Sequence, residues 1–407
     1  MKRYIRRHHY DALWRALSGE PNLLQVIVGP RQVGKSTLAL QLIRRWPGKT
    51  LYQTADRPEV PGPEWLNEHW LQARRLCRRR QPGLLVLDEI QKVPRWSDQV
   101  KRLFDEDRAQ DVNLRVILLG SSALLMQKGL AESMAGRFEL HRHLQWSFAE
   151  CQACFNLSFN EFLYFGGYPG GLGLRDQPER WANYLRESLI ETVLGRDLLL
   201  LAPVSKPILL RQAFTLAVAN PARIISYQKM LGTLNDAGNV TTIASYLRLL
   251  AMAFLVVPLE RWSGGHIRQR GSIPKILVMD NGLIAAITGI QRNRLMREPE
   301  QRGFWLENAV GRELYALALA VGGELYYWRE RNYEVDYVVR YGDRLLAIEV
   351  KSGVPGKTLA GLAAFKRRYP KAETVLLSPE TDQAAVYRYV SLESFFAESV
   401  AALRIGR

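Results

Sequence analysis

The sequence of 407 residues contains few cysteines and lacks long apolar runs. Its three cysteines are too few for the disulfide framework of small secreted proteins. The longest apolar run, residues 251–259, falls far short of the roughly 20 residues that a membrane-spanning helix needs. Residues 1–9 are rich in basic side chains and precede no apolar segment of the kind that secretory signals contain. We therefore expect a cytoplasmic protein without a membrane partner.

Negative charge is also scarce. The chain has 40 Asp and Glu residues against 56 Lys and Arg, which gives a formal net charge of +16. Residues 1–150 carry 25 basic and 16 acidic side chains, whereas residues 301–407 carry 15 and 13. A large positive excess favours an anionic partner, and DNA is the first expectation. Ordinary solubility is the alternative explanation of the charge.

The first 150 residues alternate short apolar runs with longer segments. The runs predict strands that are buried on both faces of a parallel sheet, at residues 23–28, 50–53, 84–87 and 115–119. The segments between them are long enough for crossover helices, so the pattern predicts an α/β domain. Beyond it the pattern becomes helical and later mixes helix and strand again.

These changes of pattern divide the chain into four predicted segments. We expect an α/β core at residues 1–155 and a helical segment at 156–222. A segment at 223–290 in which helices precede strand-like residues and a mixed α/β domain at 300–407 complete the prediction.

A glycine-rich motif follows the first predicted strand. It reads Gly29-Pro30-Arg31-Gln32-Val33-Gly34-Lys35-Ser36 and fits the P-loop pattern G-x-x-x-x-G-K-[ST]. Such a loop turns its backbone N–H groups toward phosphates, and the following helix offers its N-terminus to the same anion. We expect this loop and Thr37 to bind ATP, with Lys35 at the β- and γ-phosphates and Ser36 on Mg²⁺.

The third predicted strand ends in two adjacent carboxylates, Asp88 and Glu89. This is typical of a Walker B motif, in which Asp88 would hold Mg²⁺ and Glu89 would polarise the attacking water. The fourth strand leads to Ser121, which would orient that water. Arg137 would serve as an arginine finger for a neighbouring subunit, and a surface arginine is the alternative.

At this point the sequence resembles the prokaryotic AAA+ ATPases that carry a C-terminal domain of unknown function. The resemblance covers nearly the whole chain. It rests on the P-loop, residues 88–94, Gly120-Ser121-Ser122, Ala135-Gly136-Arg137 and Gly166-Gly167-Tyr168-Pro169. It implies an ATPase core at residues 1–155, a helical lid at 156–222 and a winged helix-turn-helix at 223–290. It also implies ATP hydrolysis, and homo-oligomers are common among such ATPases.

The middle of the chain contains a candidate for DNA binding. Residues 223–262 are interpreted as a winged helix-turn-helix, with Ser226 capping one helix and Thr241 capping the recognition helix. Because Arg248 is the only strong cation of that second helix, a module used for packing or subunit contact is the alternative. Better candidates for phosphate contacts are the arginines at 74, 75, 78, 79 and 80, with a solvated face as the alternative.

A predicted hairpin near the C-terminus brings carboxylates together. If Gly342 and Asp343 form a two-residue loop, Tyr341 pairs with Arg344 and Asp336 lies opposite Glu349. In that register the apolar residues of both strands share the other face, including Val335 and Tyr337, whereas a shift by one residue would mix the faces. Facing carboxylates repel each other unless a cation lies between them.

This arrangement resembles the D…E-x-K motif of the PD-(D/E)xK nuclease superfamily, which implies an α/β domain of the restriction-endonuclease type at residues 300–407. The resemblance implies that Asp336 and Glu349 bind a divalent metal such as Mg²⁺ and that Lys351 assists the attacking water. Glu307, early in the preceding helix, matches the additional acidic ligand. A salt-bridged hairpin or a nuclease fold that has lost its activity is the alternative.

Together these observations predict an ATP-hydrolysing AAA+ protein that acts on DNA. The alternative is an ATP-dependent switch or scaffold with a protein partner, whose nuclease-like domain is inactive. A metal-dependent nuclease for which ATP only licenses access is a third possibility.

Overall fold

A computed structural model describes residues 9–19, 23–78, 81–120, 134–201, 204–234, 239–264, 272–353, 359–379 and 387–403. The chain divides into two compact units, residues 1–144 and 145–407. Among the described residues, no helix is both long and apolar enough to cross a membrane.

The first unit is built on a parallel sheet. Its strands are β1 (Leu24–Val28), β2 (Thr50–Thr54), β3 (Gly83–Asp88), β4 (Leu114–Gly120) and β5 (Phe138–Arg142). Its helices are α1 (His9–Ser18), α2 (Lys35–Arg45), α3 (Pro63–Leu76) and α4 (Trp96–Ala109). Within the described part of this unit, the five strands lie in the order β2-β3-β4-β1-β5, and every neighbouring pair is parallel.

The four predicted strands and the parallel sheet are confirmed, and each strand end lies within one residue of its predicted position. β1, β3 and β4 are almost wholly buried, as continuous apolar runs require. β2 is only half-buried because it lies at the edge of the sheet. Since the carboxyl ends of parallel strands meet at one edge of a sheet, the loop after β1 and the acids after β3 lie at the same edge.

The second unit begins with helices. They are α5 (Phe148–Phe155), α6 (Phe159–Phe165), α7 (Pro169–Leu172), α8 (Pro178–Asn183), α9 (Leu198–Leu201) and α10 (Pro207–Val218). Between α8 and α9 the chain forms π-helical stretches at Tyr184–Glu191 and Val193–Asp197. Ser147 and Ser158 begin α5 and α6 with reciprocal capping boxes to Glu150 and Glu161.

Two short helices and a hairpin follow. α11 (Tyr227–Thr233) and α12 (Val240–Met252) precede strands β6 (Val256–Leu259) and β7 (Lys275–Val278), which pair antiparallel. The predicted cap at Ser226 is confirmed, because its hydroxyl accepts a hydrogen bond from the Lys229 amide. The predicted cap at Thr241 is wrong. Asn239 caps α12, since its Oδ1 accepts the amide of Thr242 at 2.7 Å and both threonine hydroxyls.

The rest of the second unit is a mixed sheet with helices. The helices are α13 (Asn281–Thr288), α14 (Arg292–Arg297), α15 (Pro299–Ala320), α16 (Ala360–Arg368), α17 (Leu392–Ala397) and α18 (Ser399–Leu403). The strands are β8 (Glu324–Glu330), β9 (Tyr333–Tyr341), β10 (Arg344–Val350), β11 (Glu373–Ser378) and β12 (Arg388–Ser391). β8, β9 and β10 are antiparallel neighbours, and β11 and β12 extend the sheet in parallel. Residues 292–302 form α14 and the first turn of α15.

A buried polar network ties these elements together. The carboxylate of Asp280, which is 4% exposed, accepts hydrogen bonds from the amides of Gly167 at 2.6 Å and Gly282 at 2.8 Å. Gly166 has a φ of +70°, and a Cβ there would collide with this carboxylate. The side chain of Asn281 donates to the carbonyls of Leu163 and Trp305. The structure therefore explains why glycines stand at positions 166 and 167, which the sequence alone did not.

The β9–β10 hairpin has the predicted register. Its pairs run from Tyr341 with Arg344 to Tyr337 with Ile348. A β-bulge interrupts β9 on its other side, because Asp336 and Tyr337 together lie opposite one residue of β8. As a result Val335 joins the core cluster of Val338 and Ala347, and the prediction that it shares a face with Tyr337 is wrong.

Candidate functional site

The P-loop connects β1 to α2 at the carboxyl edge of the first sheet. Gly34 has a φ of +95° and is the residue from which α2 begins. The Lys35 side chain is 7% exposed, and its ammonium donates to the carbonyl oxygens of Gly29 at 2.9 Å and Pro30 at 2.7 Å. The lysine therefore curls back over its own loop, where an incoming phosphate would compete for the same ammonium.

Ser36 and Asp88 meet across the sheet. The Ser36 hydroxyl donates to Asp88 Oδ2 at 2.8 Å, and the Glu89 amide donates to Asp88 Oδ1 at 2.9 Å. The same Oδ2 accepts a hydrogen bond from the Tyr52 hydroxyl at 2.5 Å. Tyr52 lies on β2, next to β3, and burial together with this acceptor raises the pKa of its phenol, so it stays a donor at neutral pH. Sequence reasoning missed Tyr52, because only the strand order shows that β2 borders the Walker B strand.

Glu89 has an unusual backbone conformation. Its φ of 53° and ψ of 35° are in the left-handed region, which is sparsely populated by residues other than glycine. The Gln91 side-chain amide donates to Glu89 Oε2 at 2.6 Å. Strain of this kind is characteristic of functional sites, and Glu89 follows β3 at the edge of the sheet where the P-loop also lies.

The residues at this edge fit ATP and Mg²⁺. Ser36 and Asp88 offer a hydroxyl and a carboxylate within hydrogen-bonding distance of each other, and Mg²⁺ prefers such hard oxygen ligands. Lys35 supplies a cation, and the start of α2 supplies backbone N–H groups.

Ser121 and Arg137, the other two residues predicted for the ATP site, are not shown at that edge of the sheet. Ser121 lies outside the described residues, but β4, which leads to it, lies between β1 and β3. Arg137 forms a bidentate ion pair with Asp105 of α4, at 2.8 and 2.9 Å. This hydrogen-bonded arginine holds the pKa of Asp105 below its usual range. An arginine finger would have to leave that partner.

Among the described arginines of 74–80, Arg74 does not share an exposed face with Arg75 and Arg78. Arg74 is packed between α3 and α4, where it contacts Asp107 at 2.5 Å and Glu106 at 3.1 Å. Its side chain is 16% exposed, so the prediction that it binds phosphate is wrong. Arg75 and Arg78 are exposed, and Arg79 and Arg80 lie outside the described residues.

In the second unit an acidic cluster surrounds a buried lysine. The cluster consists of Glu307 on α15, Glu334 and Asp336 on β9, and Glu349 on β10. The ammonium of Lys275, at the start of β7, lies 2.5 Å from Glu307, 3.7 Å from Glu334 and 3.7 Å from Asp336. Burial alone would lower the pKa of Lys275, but the carboxylates of Glu307 and Asp336 outweigh it and raise that pKa, so the lysine is charged.

The other half of the cluster contains the predicted catalytic lysine. Lys351 pairs with Glu349 Oε1 at 2.7 Å, and the Asp336 carboxylate accepts the Val350 amide at 2.8 Å. Burial and the neighbouring Asp336 raise the pKa values of Glu307 and Glu349, although the lysines oppose this. The sequence therefore predicted that the carboxylates of Glu307, Asp336 and Glu349 lie close together, but it did not reveal Lys275.

A divalent metal does not fit this arrangement. The Lys275 ammonium already contacts three of the four carboxylates. The Val350 amide donates to Asp336 Oδ2 and the Lys351 ammonium to Glu349 Oε1, while the buried Glu349 Oε2 has no hydrogen-bond partner among the described residues. Among the described residues, no group of three or more His, Cys, Asp or Glu side chains is arranged to hold a metal ion.

A cleft of about 470 Å³ lies beside the acidic cluster. Its lining includes Glu307 and Glu334 and also three exposed cations, which are Arg223, Lys229 and Arg329. The Arg223 guanidinium lies 4.2 Å from the ring centroid of Phe304, which also lines the cleft. The cleft thus combines cations with an aromatic ring between the α11 region and the C-terminal sheet.

Comparison with protein families divides the chain into three matches. Residues 22–152 match the model of a family described as an AAA domain. Residues 156–294 and 302–395 match two families that are each described as a domain of unknown function. Together with the P-loop geometry and the parallel sheet, the first match identifies an AAA-type ATPase domain at the start of the chain.

Similar proteins extend over most of the chain. Uncharacterized proteins of Mycobacterium tuberculosis and Mycobacterium bovis are each 28% identical over 391 residues, which is 92% of this chain and 83% of theirs. One of Methanocaldococcus jannaschii is 25% identical over 352 residues, covering 81% of this chain and 75% of its own. Among solved structures, a Walker-type ATPase of Pyrococcus abyssi matches 70% of this chain and 96% of its own at 16% identity, with a TM-score of 0.44.

Proposed function

We propose that the chain binds ATP with Mg²⁺ at its P-loop, hydrolyses it, and couples this hydrolysis to work on DNA. The observation that supports it best is the meeting of Ser36 and Asp88 beside Lys35 at one edge of a parallel sheet. These are the groups that an ATPase needs for the metal ion and the phosphates.

Each residue has a role in this proposal. Lys35 leaves the carbonyls of Gly29 and Pro30 and binds the β- and γ-phosphates. Ser36 and Asp88 would hold the ion, which neutralises developing charge on the phosphates when bound. Glu89 accepts a proton from the attacking water, and Gln91 fixes the orientation of that carboxylate.

The proposal also includes a homo-oligomer. In it Arg137 would exchange Asp105 for the phosphates bound by a neighbouring subunit, and Ser121 would orient the water. The exchange is feasible because the Arg137 and Asp105 side chains are 27% and 40% exposed, and ion pairs with that much solvent contribute only about 0–1 kcal/mol.

DNA is the partner that the charges of the second unit favour. The order of α10, α11, α12 and the β6–β7 hairpin is the order expected of a winged helix, which supports the proposal, and Thr241, Ser245 and Arg248 are exposed along α12. The cations of the cleft offer phosphate contacts, and Phe304 offers a ring for stacking a base. The second candidate, an ATP-dependent switch with a protein partner and an inactive nuclease-like domain, is favoured by the lysine inside the acidic cluster.

Measurement of ATP turnover tests the first half of the proposal. Lys35→Ala should abolish nucleotide binding or turnover, whereas Glu89→Gln should retain binding and lose about 10²–10⁴-fold in rate. Lys49→Ala, which changes an exposed lysine of the same unit, is the matched control and should keep full turnover. Normal turnover in both site variants would refute the proposed ATPase.

Measurement of DNA binding tests the second half. Duplex affinity should fall by about 0.9 log units per log unit of salt for each phosphate contact. Combined replacement of Arg223, Lys229 and Arg329 by Ala should reduce this slope by the amount that corresponds to up to about three phosphate contacts. Two results together would favour the switch with a protein partner. They are an ATP turnover that does not change with single-stranded, duplex or branched DNA, and a salt dependence of DNA binding that is unchanged in the triple variant.

A further inference from the structure

Lys275 is the most deeply buried cation in the described part of the second unit. Its side chain is 1% exposed, and no water is needed to satisfy it, because carboxylates and a carbonyl surround it. Besides the three carboxylates, its ammonium lies 3.2 Å from the Asp336 carbonyl oxygen and 5.0 Å from the ring centroid of Tyr337. An ammonium with this surrounding occupies the place that a bound cation would take.

The geometry leaves no room for a second cation at the same place. A Mg²⁺ ion needs oxygen ligands at about 2.0–2.1 Å and near-octahedral geometry. The 2.5 Å contact between Lys275 and Glu307 Oε1 is too short for an ion to lie between the two groups. A divalent ion bound by Glu307 and Asp336 would also lie within a few ångströms of a desolvated ammonium, and like charges at that distance repel strongly.

The lysine comes from outside the C-terminal sheet. Lys275 begins β7, whose partner strand is β6, and its backbone also bridges to Ile224. The β6–β7 hairpin is fastened to β8 by further bonds, since the amide of Trp262 donates to the Tyr327 carbonyl at 2.7 Å. The Tyr327 hydroxyl in turn donates to the carbonyl of Ile273. The ammonium is therefore held in place by the backbone around it and is not a mobile surface side chain.

From these contacts we infer that Lys275 is a built-in counter-ion that replaces a divalent cation in the acidic cluster. The cluster is then a metal-free joint between the β6–β7 hairpin and the C-terminal sheet. Removing the ammonium converts it into a site for a hard divalent cation, because Glu307, Glu334 and Asp336 are left without a positive charge. This inference does not depend on ATP hydrolysis or on DNA binding.

The test compares the wild-type chain, Lys275→Met and the double variant Lys275→Met/Glu307→Gln, all full-length and free of nucleotide. Mn²⁺ binding is followed by the loss of the free-ion signal in electron paramagnetic resonance, and unfolding is followed by tryptophan fluorescence. Lys275→Met should bind one more Mn²⁺ than the wild type, and the double variant should lose that gain. Lys371→Met, at an exposed lysine outside the cleft and the cluster, is the matched control and should bind as the wild type does.

Stability provides a second readout. Lys275→Met should lower the unfolding temperature on the order of 10 °C, because it leaves buried carboxylates unpaired. Millimolar Mn²⁺ should restore several degrees in this variant and in neither the wild type nor the double variant. The double variant should be more stable than Lys275→Met in the absence of metal.

Two results would overturn the inference. One is a folded Lys275→Met that gains no Mn²⁺ and no thermal rescue. The other is that the wild type binds one Mn²⁺ ion and that Asp336→Asn no longer binds it. This measurement needs no lysine variant. This second measurement decides the question even if Lys275→Met fails to fold.

Discussion

Tyr52 is the residue of the candidate ATP site that only the structure reveals, and Tyr52→Phe tests the site most sharply. The change removes one hydroxyl from the Asp88 carboxylate and keeps the ring. A hydrogen bond to a charged acceptor contributes about 1.5–3 kcal/mol. Since each 1.36 kcal/mol corresponds to about a tenfold change, losing the bond should cost roughly ten- to hundredfold wherever the position of Asp88 matters.

The assay separates the role of the carboxylate from that of the phosphate-binding loop. We expect Tyr52→Phe to lower kcat/KM for ATP in the presence of Mg²⁺ and to raise the Mg²⁺ concentration that gives half-maximal turnover. Binding of a fluorescent nucleotide in the presence of a chelator should change much less, because the phosphate-binding ammonium of Lys35 lies on the carbonyls of Gly29 and Pro30, whereas Tyr52 donates to Asp88.

Thr50→Val is the matched control for this experiment. Thr50 lies two residues earlier on the same strand and pairs with Leu84, away from the carboxylates. It should leave turnover and the Mg²⁺ requirement as they are in the wild type. Turnover and Mg²⁺ dependence within twofold of wild type in Tyr52→Phe would refute the idea that this phenol positions Asp88.

The remaining predictions concern stability. Burial raises the pKa of Asp280 to about 6, above its ordinary value of about 3.9, so its protonated form is favoured on folding. Its contribution is therefore complete below pH 4 and is lost as the pH rises through 6, by up to about 3 kcal/mol. Asp280→Asn should flatten this part of a urea-unfolding profile, and an unchanged profile would contradict the assignment. Arg74→Ala should cost about 3–5 kcal/mol, since Asp107 stays buried without its cation, whereas exposed Arg78→Ala should stay within about 0.5 kcal/mol. Equal costs for the two arginines, measured by chemical denaturation, would show that Arg74 is not structural.

Much of the first unit was predictable because its signals are local. An apolar run followed by a glycine-rich loop, or by two acidic residues, predicts both the strand and the functional residues at its carboxyl end. The hairpin register of β9 and β10 was predictable for a similar reason, because period-two patterning and a two-residue turn allow few alternatives. Caps were less certain, since Asn239 and Thr241 are both good capping residues and only the backbone decides between them.

Contacts between distant segments were not predictable in the same way. Tyr52 reaches Asp88 only because β2 and β3 are neighbours, and Arg74 looked like part of a basic run although two acids of α4 neutralise it. The bulge at Asp336 has no signal in the alternation of β9, because it depends on how β8 pairs.

The acidic cluster shows how such a contact changes the meaning of a motif. Residues 336–351 alone satisfy the spacing of a nuclease motif, and Glu307 supplies the additional acid. The charge that decides whether a metal is needed comes from Lys275, which lies about 60 residues earlier in the chain and looks like one cation among many. A motif built of carboxylates specifies a need for positive charge but not its source. The protein meets that need with an ammonium at 2.5 Å from Glu307, so the spacing of the motif is compatible with a joint that binds no metal.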